Sequence, residues 1–597
     1  MDKIVIVDAG SQYTHLLFRR ILDMGVNAKI IQDANSLQEI DNIKGVVISG
    51  GPKSVYKGKK NIYEHIFSLN VPVLGICFGH QYIAYQFGGK VEKGPPEFGK
   101  TKLYIHTHDT ILSGLKDEEI VWMSHFDEVK DLPPGFSCLA FTENCRYAVI
   151  MNKEKKIYGV QFHPEVTHTA NGKRILENFV FKIAKCKPNL KEKDIVQYLI
   201  NEIKEKAQFK NVMCFLSGGV DSTVLFYLLN KALPKKQVVG VMIDHGFLRK
   251  NEVEEFMKIM KREGFENVIT FNFSNKFIEA LNNITDPEQK RVIIGETFLK
   301  VKSEIYKTLN LNFNNCILAQ GTIYPDTIES GETKHSRKIK THHNRTKTVK
   351  RLLKKNKILE PLRFFYKDEI RELARKLNIP EEIKNKEPFP GPGLAIRCIC
   401  SDSDVPIKSA CVYENKNLSS FIIPIKSVGV QGDFRTYKNL AVIYSKKEEM
   451  PKDWKMLESF VSELLKRVDI NRIVLMLFKR KKSIENLIIR KSFVSLQRLE
   501  RLREIDYFVR SFFFNLRRNF WQFPVILFPL SFQSSPQRNE SVVLRPVHSK
   551  DGMTAEFAKI DFALLKNFVY EFSKKFSDID FIFYDLSNKP PATIEWE

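Results

Sequence analysis

The chain has 597 residues, 43% of them hydrophobic, and a formal net charge of +24 at pH 7. A chain this long cannot enclose a single core, so roughly three or four domains are expected, and its ordinary apolar content excludes wholesale disorder. The longest apolar stretches, such as Phe523 to Leu530, fall far short of the ~20 residues a spanning helix needs. With no charged leader before the first strand-like run, a soluble cytoplasmic protein without a membrane partner is expected.

Cysteine usage agrees, because nine cysteines scattered singly suit a reducing compartment better than a disulfide framework. Cys398, Cys400 and Cys411 cluster, but without C-x2-C spacing or a fourth ligand they do not read as a zinc site.

From Lys3 to about Lys185, apolar runs at Ile4–Val7, Gly45–Ser49 and Val71–Gly75 alternate with helical stretches. That alternation predicts an α/β domain with a largely parallel sheet. The third run leaves through Gly75-Ile76-Cys77-Phe78-Gly79 into a helical stretch, His80 to Phe87. G-x-C-x-G has the form of a nucleophile elbow, in which small residues flank a strained turn and leave the central side chain exposed. A helix behind the turn lowers the thiol pKa. Farther on, Tyr158-Gly-Val-Gln-Phe-His163-Pro-Glu165 ends a strand-like run with His and Glu two residues apart. In extended chain such residues share a side, so Glu165 can orient His163 while His163 takes the Cys77 proton. The turn Ser49-Gly50-Gly51-Pro52 offers the Gly51 amide, with that of Phe78, to an oxyanion.

Gly94-Pro-Pro-Glu-Phe-Gly99-Lys100-Thr101 matches the Walker A pattern letter by letter. Two prolines stiffen it and a strand-like run follows, so it is not read as a phosphate loop. Lys187 to Asp194 reads as a charged connector. Beyond it an apolar strand, Val212 to Leu216, runs into Ser217-Gly218-Gly219-Val220-Asp221-Ser222-Thr223 and then a helical stretch to Asn230. A strand ending in a glycine turn that opens a helix traps anions: glycines allow close approach, hydroxyls donate, and helix-start amides point at the ligand. Asp221 fits a phosphate site if Mg²⁺ lies between carboxylate and phosphate; a serine-capped Gly-Gly turn is the alternative. A further strand, Val238 to Asp244, ends in His245-Gly246.

The stretch Arg337 to Lys357 is basic and contains no acid, which reads as a solvated loop before a nucleic-acid surface. In the last two hundred residues, Phe421–Val430 can be superposed on Val542–Met553, and Ile470–Leu477 on Ile579–Leu586. Two such echoes suggest a duplicated β-α-β unit.

The elbow, His-x-Glu pair and glycine turn resemble a class I glutamine amidotransferase, as do Gly10-Ser-Gln-Tyr13 and Thr167-His-Thr169. That resemblance implies glutamine hydrolysis through a Cys77 thioester. Phe126 departs from it, since relatives that make guanine nucleotide usually carry glycine there. The 217–223 loop resembles the ATP pyrophosphatases. Asp286–Gly295, Leu318–Asp326, Ile339–Asn344, Glu387–Arg397, Gln431–Tyr437 and Asn588–Glu597 are similar to glutamine-hydrolysing GMP synthetases.

The resemblance implies an α/β chain of three domains. These are a class I glutamine amidotransferase at 1–187, a doubly wound ATP pyrophosphatase at 188–397, and an α+β dimerisation domain with a duplicated β-α-β unit at 398–597. It implies ATP with Mg²⁺ at Ser217, Gly218, Gly219, Val220, Asp221, Ser222 and Thr223, Asp221 holding the metal and Lys340 in a lid. XMP would be bound by Arg291, Asp433, Arg435, Lys589 and Glu595. The chemistry implied is synthesis of GMP from XMP, ATP and L-glutamine by a homodimer, with the positive charge serving phosphates and no nucleic acid required. The lid departs from the family, since Arg345–Lys350 replaces a glycine-rich stretch. An NAD synthetase sharing the central loop, a tRNA-modifying relative and a non-catalytic regulatory protein are the alternatives.

Overall fold

The computed structural model describes the chain apart from residues 1, 12, 33–36, 38–39, 58–62, 167, 189–194, 312–315, 324–357, 364, 366, 432–433, 448, 452, 518, 550–554 and 590. Lys340, Asp433 and the basic stretch 337–357 therefore lie outside the described residues, as does the side chain of Arg435. The chain divides into two compact units: residues 1–206 with 321–345 and 360–376, and residues 207–320 with 346–359 and 377–597. No helix among the described residues is long and apolar enough to cross a membrane.

The first unit is built on nine strands: β1 (Lys3–Val7), β2 (Asn27–Ile31), β3 (Ile43–Ile48), β4 (Val73–Ile76), β5 (Lys90–Ile105), β6 (Glu118–Asp131), β7 (Ser137–Phe141), β8 (Val149–Asn152) and β9 (Ile157–Val160). Their order is β2-β1-β3-β4-β9-β8-β7-β5-β6. The first five are parallel, and β9 onward pair antiparallel. β1, β3 and β4 are near-continuous apolar runs because both faces of a parallel sheet are covered. The Walker-like letters fall inside β5, along its pairing with β6, so no helix follows them.

In the second unit, β10 (Asn211–Leu216), β11 (Val238–Asp244), β12 (Val268–Asn272), β13 (Cys316–Ala319) and β14 (Ile358–Leu359) form an all-parallel sheet ordered β12-β11-β10-β13-β14. The order reverses between β10 and β13, where doubly wound sheets bind ligands at the carboxyl ends of their strands. The loop Ser217–Gly219 leaves β10 at that point. Three further sheets follow in the same unit, from β15 (Val405–Ile407), β16 (Tyr413–Glu414), β17 (Leu418–Gln431), β18 (Phe434–Ser445), β19 (Arg472–Lys479), β20 (Leu487–Ile489), β21 (Val525–Phe528), β22 (Leu530–Phe532), β23 (Glu540–Leu544), β24 (Val547–His548), β25 (Glu556–Phe557) and β26 (Ile579–Asp585), of which β24 and β25 pair only with each other. Seven of these are ordered β16-β17-β18-β19-β26-β23-β21, while β15, β20 and β22 form a small side sheet.

The duplicated β-α-β unit is present, as β18, helix Trp454–Arg467 and β19, and again as β23, helix Phe562–Lys575 and β26. One echo matches this register and the other does not. Ile470–Leu477 and Ile579–Leu586 both belong to the last strand of a unit. Phe421–Val430 is β17, the antiparallel neighbour that precedes β18, so its counterpart is β21 and not β23. Buried strands share one alphabet of Val, Ile and Phe, and letters alone do not distinguish adjacent strands of a hairpin.

Candidate active site

Cys77 sits where β4 gives way to the helix Phe78–Gln86, which begins two residues earlier than its apolar spacing suggests. Its φ of 51° and ψ of −104° place a non-glycine residue in a strained conformation found at functional turns. The flanking glycines permit this turn: a Cβ on Gly75 would overlap the Gly79 carbonyl, and one on Gly79 would overlap the carbonyl of Ile48. The Cys77 amide donates to Val160 O at 2.8 Å, tying the elbow to the end of β9.

The chain leaving β9 reaches His163 three residues later, so Cys77 and His163 sit at the ends of adjacent parallel strands. His163 Nδ1 lies 2.8 Å from Glu165 Oε1, both side chains buried. Tyr13 packs edge-on against the imidazole with ring centroids 4.9 Å apart. The His163 backbone is fixed as well: its N–H donates to Trp122 O at 3.0 Å, and Thr169 Oγ1 donates to its carbonyl at 2.6 Å. Burial alone would drive His163 neutral, but the Glu165 carboxylate and then the Cys77 sulfur outweigh it. The pKa rises well above the ordinary 6.5. The charged imidazole stands beside the Cys77 sulfur.

A Cβ added to Gly50 would lie 3.0 Å from the His163 ring and 3.6 Å from Cys77 Cβ. The turn therefore closes on Cys77 and His163 at Gly50. Gly51 in turn is pressed on Ala9, whose carbonyl a Cβ would meet at 2.5 Å. Opposite the sulfur, Ser124 O is 3.7 Å from Cys77 Sγ. That strand is held by a buried pair the sequence did not reveal, His125 Nε2 and Glu97 Oε2 at 3.2 Å, with Thr142 Oγ1 also donating to Glu97. Phe126, next along, is 56% exposed.

In the second unit, Gly218 takes φ +71° and Gly219 caps the helix Val220–Ala232. Ser217 Oγ and Ser222 Oγ are 3.1 Å apart. Ser217 N donates to Ser222 Oγ at 3.2 Å, and Thr223 Oγ1 donates to Gly219 O at 2.8 Å. The two serines thus brace the loop, Ser217 Oγ also accepting from the Gly219 amide at 3.4 Å. Lys386, absent from the sequence-based site, donates to Gly218 O at 3.1 Å and pairs with Glu252 at 2.6 Å.

Three family models match the chain: glutamine amidotransferase class-I over residues 5–183, NAD synthase over 192–315, and GMP synthase C terminal domain over 514–596. A probable glutamine-hydrolysing GMP synthase of Leptospira interrogans is 39% identical over 610 residues, covering 100% of this chain and 99% of the relative. The chain belongs to the glutamine-hydrolysing GMP synthase family. A Caldicellulosiruptor saccharolyticus member is 36% identical over 614 residues, again covering 100% of this chain. A Thermosipho africanus member is 41% identical over 504 residues, covering 79% of this chain and 97% of its own. Glutamine-hydrolysing GMP synthases thus match the chain from end to end, which sets aside the NAD synthetase reading of the central loop.

The residues assigned to the purine nucleotide by resemblance are placed in part. Asp286 caps the helix Pro287–Thr308 through Gln289 N at 2.8 Å, which sets Lys290 and Arg291 near its N-terminus. Arg291 donates to the Glu597 carbonyl, and Lys290 pairs with the Glu597 carboxylate at 2.6 Å. Glu595 is gripped by Arg397 at 2.9 and 2.7 Å. Burial would raise the Glu595 pKa, but Arg397 overcomes it and holds the carboxylate below its ordinary range. Lys589 is half-buried, bridging to Ala555 through backbone. Sequence reading missed Arg397 as a partner, although a lone arginine closing the run Leu394-Ala-Ile was the available signal.

Glu165→Gln tests the charge on His163. The substitution keeps a hydrogen-bond partner but removes the anion that raises the imidazole pKa. The alkaline limb of the glutaminase pH–rate profile should therefore move to lower pH, because the imidazolium is lost sooner. The rate itself should fall by about 10²-fold, within the range general acid–base catalysis supplies. Ammonium-dependent synthesis should be unchanged.

Proposed function

We infer that this chain converts XMP, ATP and L-glutamine, with water, to GMP, AMP, pyrophosphate and L-glutamate. The observation that carries the reading is the intact Cys77, His163 and Glu165 geometry in a chain matched over its full length by glutamine-hydrolysing GMP synthases. Cys77 sulfur attacks the glutamine amide carbon, the Gly51 and Phe78 amides steady the oxyanion, and His163 gives its proton to the departing ammonia. Water then cleaves the thioester. At the second site the xanthine C2 oxygen attacks the α phosphorus of ATP and pyrophosphate leaves from the 217–223 loop. Ammonia adds at C2 of the adenylated XMP and AMP departs, with a proton lost to solvent.

Mg²⁺ belongs to this reading through Asp221, a half-buried carboxylate in the first turn behind the loop. No group of three or more His, Cys, Asp or Glu side chains among the described residues could hold a metal ion. An ion at Asp221 would be shared between that carboxylate, phosphate oxygens and water. Mg²⁺ bound there would neutralise phosphate charge as pyrophosphate leaves. Arg291, Asp433, Arg435, Lys589 and Glu595 for XMP, Lys340 over the ATP phosphates and a cytoplasmic location complete the reading. A homodimer formed through the C-terminal domain, as the resemblance implies, belongs to the same reading.

The test is direct. Purified protein given XMP, ATP, Mg²⁺ and glutamine should release GMP, AMP, pyrophosphate and glutamate in equal amounts. Glutamate without GMP, or ADP in place of AMP, overturns it.

A further inference from the structure

Gly246, Phe247 and Leu248 follow β11, and the carbonyls of all three are taken by donors from distant parts of the chain. Arg503 Nη2 donates to Gly246 O and Arg503 Nε to Leu248 O at 3.0 Å, while Leu394 N donates to Phe247 O at 2.8 Å. Gly246 takes φ +76°, and a Cβ there would lie 2.9 Å from Ser274 Cβ, so the turn is also confined on its other side. Arg503 belongs to the helix Leu496–Phe512, 257 residues beyond the glycine it holds. Two carbonyls two residues apart call for donors in a fixed fork, which a guanidinium supplies and an ammonium does not. Asp506 lies one turn along the same helix face. Its buried carboxylate stands 3.6 Å from Nε of Arg249, which is buried as well. One helical turn therefore engages both the backbone of residues 246–248 and the side chain that follows.

The loop so held stands beside the phosphate loop. β10 and β11 are parallel neighbours, and their carboxyl ends open on the same side of the sheet. Three polar contacts in series join the two loops. Arg249 N donates to Glu252 Oε2 at 2.9 Å, Glu252 Oε1 pairs with Lys386 Nζ at 2.6 Å, and Lys386 Nζ donates to Gly218 O at 3.1 Å. Burial would raise the Glu252 pKa, but Lys386 and then Arg249 hold the carboxylate below its ordinary range. Because a peptide is planar, a fixed Gly218 carbonyl also fixes the direction of the Gly219 N–H. Gly218 takes φ +71°, a conformation that glycine enters and leaves freely, so an outside tether is what holds it. By contrast, Lys250 pairs with Glu504 at 2.6 Å where both side chains reach solvent, and such a pair contributes little.

We propose that Arg503 is a positioning residue for the ATP half-reaction. By holding the carbonyls of Gly246 and Leu248 it sets Arg249, Glu252 and Lys386, and through them the Gly218–Gly219 peptide of the phosphate loop. Asp506 assists by holding the Arg249 side chain. The role in ATP use rests on the proposed function, while the clamp on residues 246–249 does not.

Arg503→Ala, Arg503→Lys and Glu504→Ala, each in the full chain, are assayed with XMP, ATP·Mg²⁺ and ammonium chloride. Arg503→Ala should raise the KM for ATP by roughly 10- to 100-fold, the scale of a lost hydrogen bond to a charged group. The KM for XMP should not change, and kcat should fall by less than the KM for ATP rises. Arg503→Lys keeps the charge and reaches one carbonyl at a time, so it should recover part of the loss; Glu504→Ala should match the original enzyme. An unchanged KM for ATP in Arg503→Ala overturns the proposal, since damage to folding alone lowers Tm and the active fraction without moving KM. Where the alanine variant does not fold, Arg503→Lys carries the same test against Glu504→Ala. Hydrogen exchange of the nucleotide-free protein separates the clamp from the reaction. Amides at 217–219 and 246–249 should exchange faster in the Arg503 variant while those of β19 and β26 do not; a uniform rise, or none, overturns the clamp. Faster exchange confined to both loops, in a protein whose original form makes no GMP, would instead count against the proposed reaction alone.

Discussion

Cys77→Ala abolishes glutamine-dependent GMP formation while leaving synthesis from added ammonium salt near its original rate. The glutaminase loss should be on the order of 10⁴- to 10⁶-fold, as for removal of a covalent nucleophile whose partners remain. The argument rests on where the sulfur lies. Cys77 is at the end of β4 in the first unit, whereas the 217–223 loop and the residues gripping Glu595 belong to the second. Alanine at φ 51° keeps the elbow's strain but adds no bulk, and the glycines that allow the turn are untouched. The first unit should therefore stay folded, with an unchanged Tm as the control. Measured with glutamine and with ammonium chloride side by side, equal loss from both nitrogen sources would refute the division of labour between the two sites.

The parts of both sites that the sequence revealed are local. Gly75-x-Cys77-x-Gly79 is legible because each glycine answers a backbone collision within a few residues or on the neighbouring strand. His163 and Glu165 are legible because extended chain puts alternate residues on one side, and the 2.8 Å contact follows. Ser217 to Thr223 is legible because strand, glycines and helix start are consecutive. The residues that escaped notice act across long separations. Lys386 reaches Gly218, Arg397 reaches Glu595, and Arg472 and Arg545 converge on Asp585. A buried arginine must find acceptors, but periodicity does not say which carbonyls will supply them. Glu97, inside the Walker-like letters, is likewise a buried partner of His125 and Thr142, far along the chain. The echo at Ile470 and Ile579 falls on the last strand of each β-α-β unit, but only the register shows that Leu475 meets Tyr584.

Asp221→Asn should reduce AMP and GMP formation by about 10²- to 10³-fold with either nitrogen source, the scale on which a lost electrostatic stabiliser acts. Glutaminase activity should be intact. Asparagine is nearly isosteric and keeps an oxygen, so the effect isolates the carboxylate charge. Asp221 stands in the first helical turn, where an anion contributes about 0.3–1 kcal/mol through the helix dipole. Its loss should thus lower Tm by no more than a few degrees. Because a weakened ligand set binds Mg²⁺ less tightly, the variant should require more Mg²⁺ for half-maximal rate, and excess Mg²⁺ should restore part of the activity. The bracing of the loop does not depend on Asp221, since Ser217, Ser222 and Thr223 hold Gly219 and one another. A drop in rate with an unchanged Mg²⁺ requirement would assign Asp221 to positioning, and full activity would remove it from the metal site altogether.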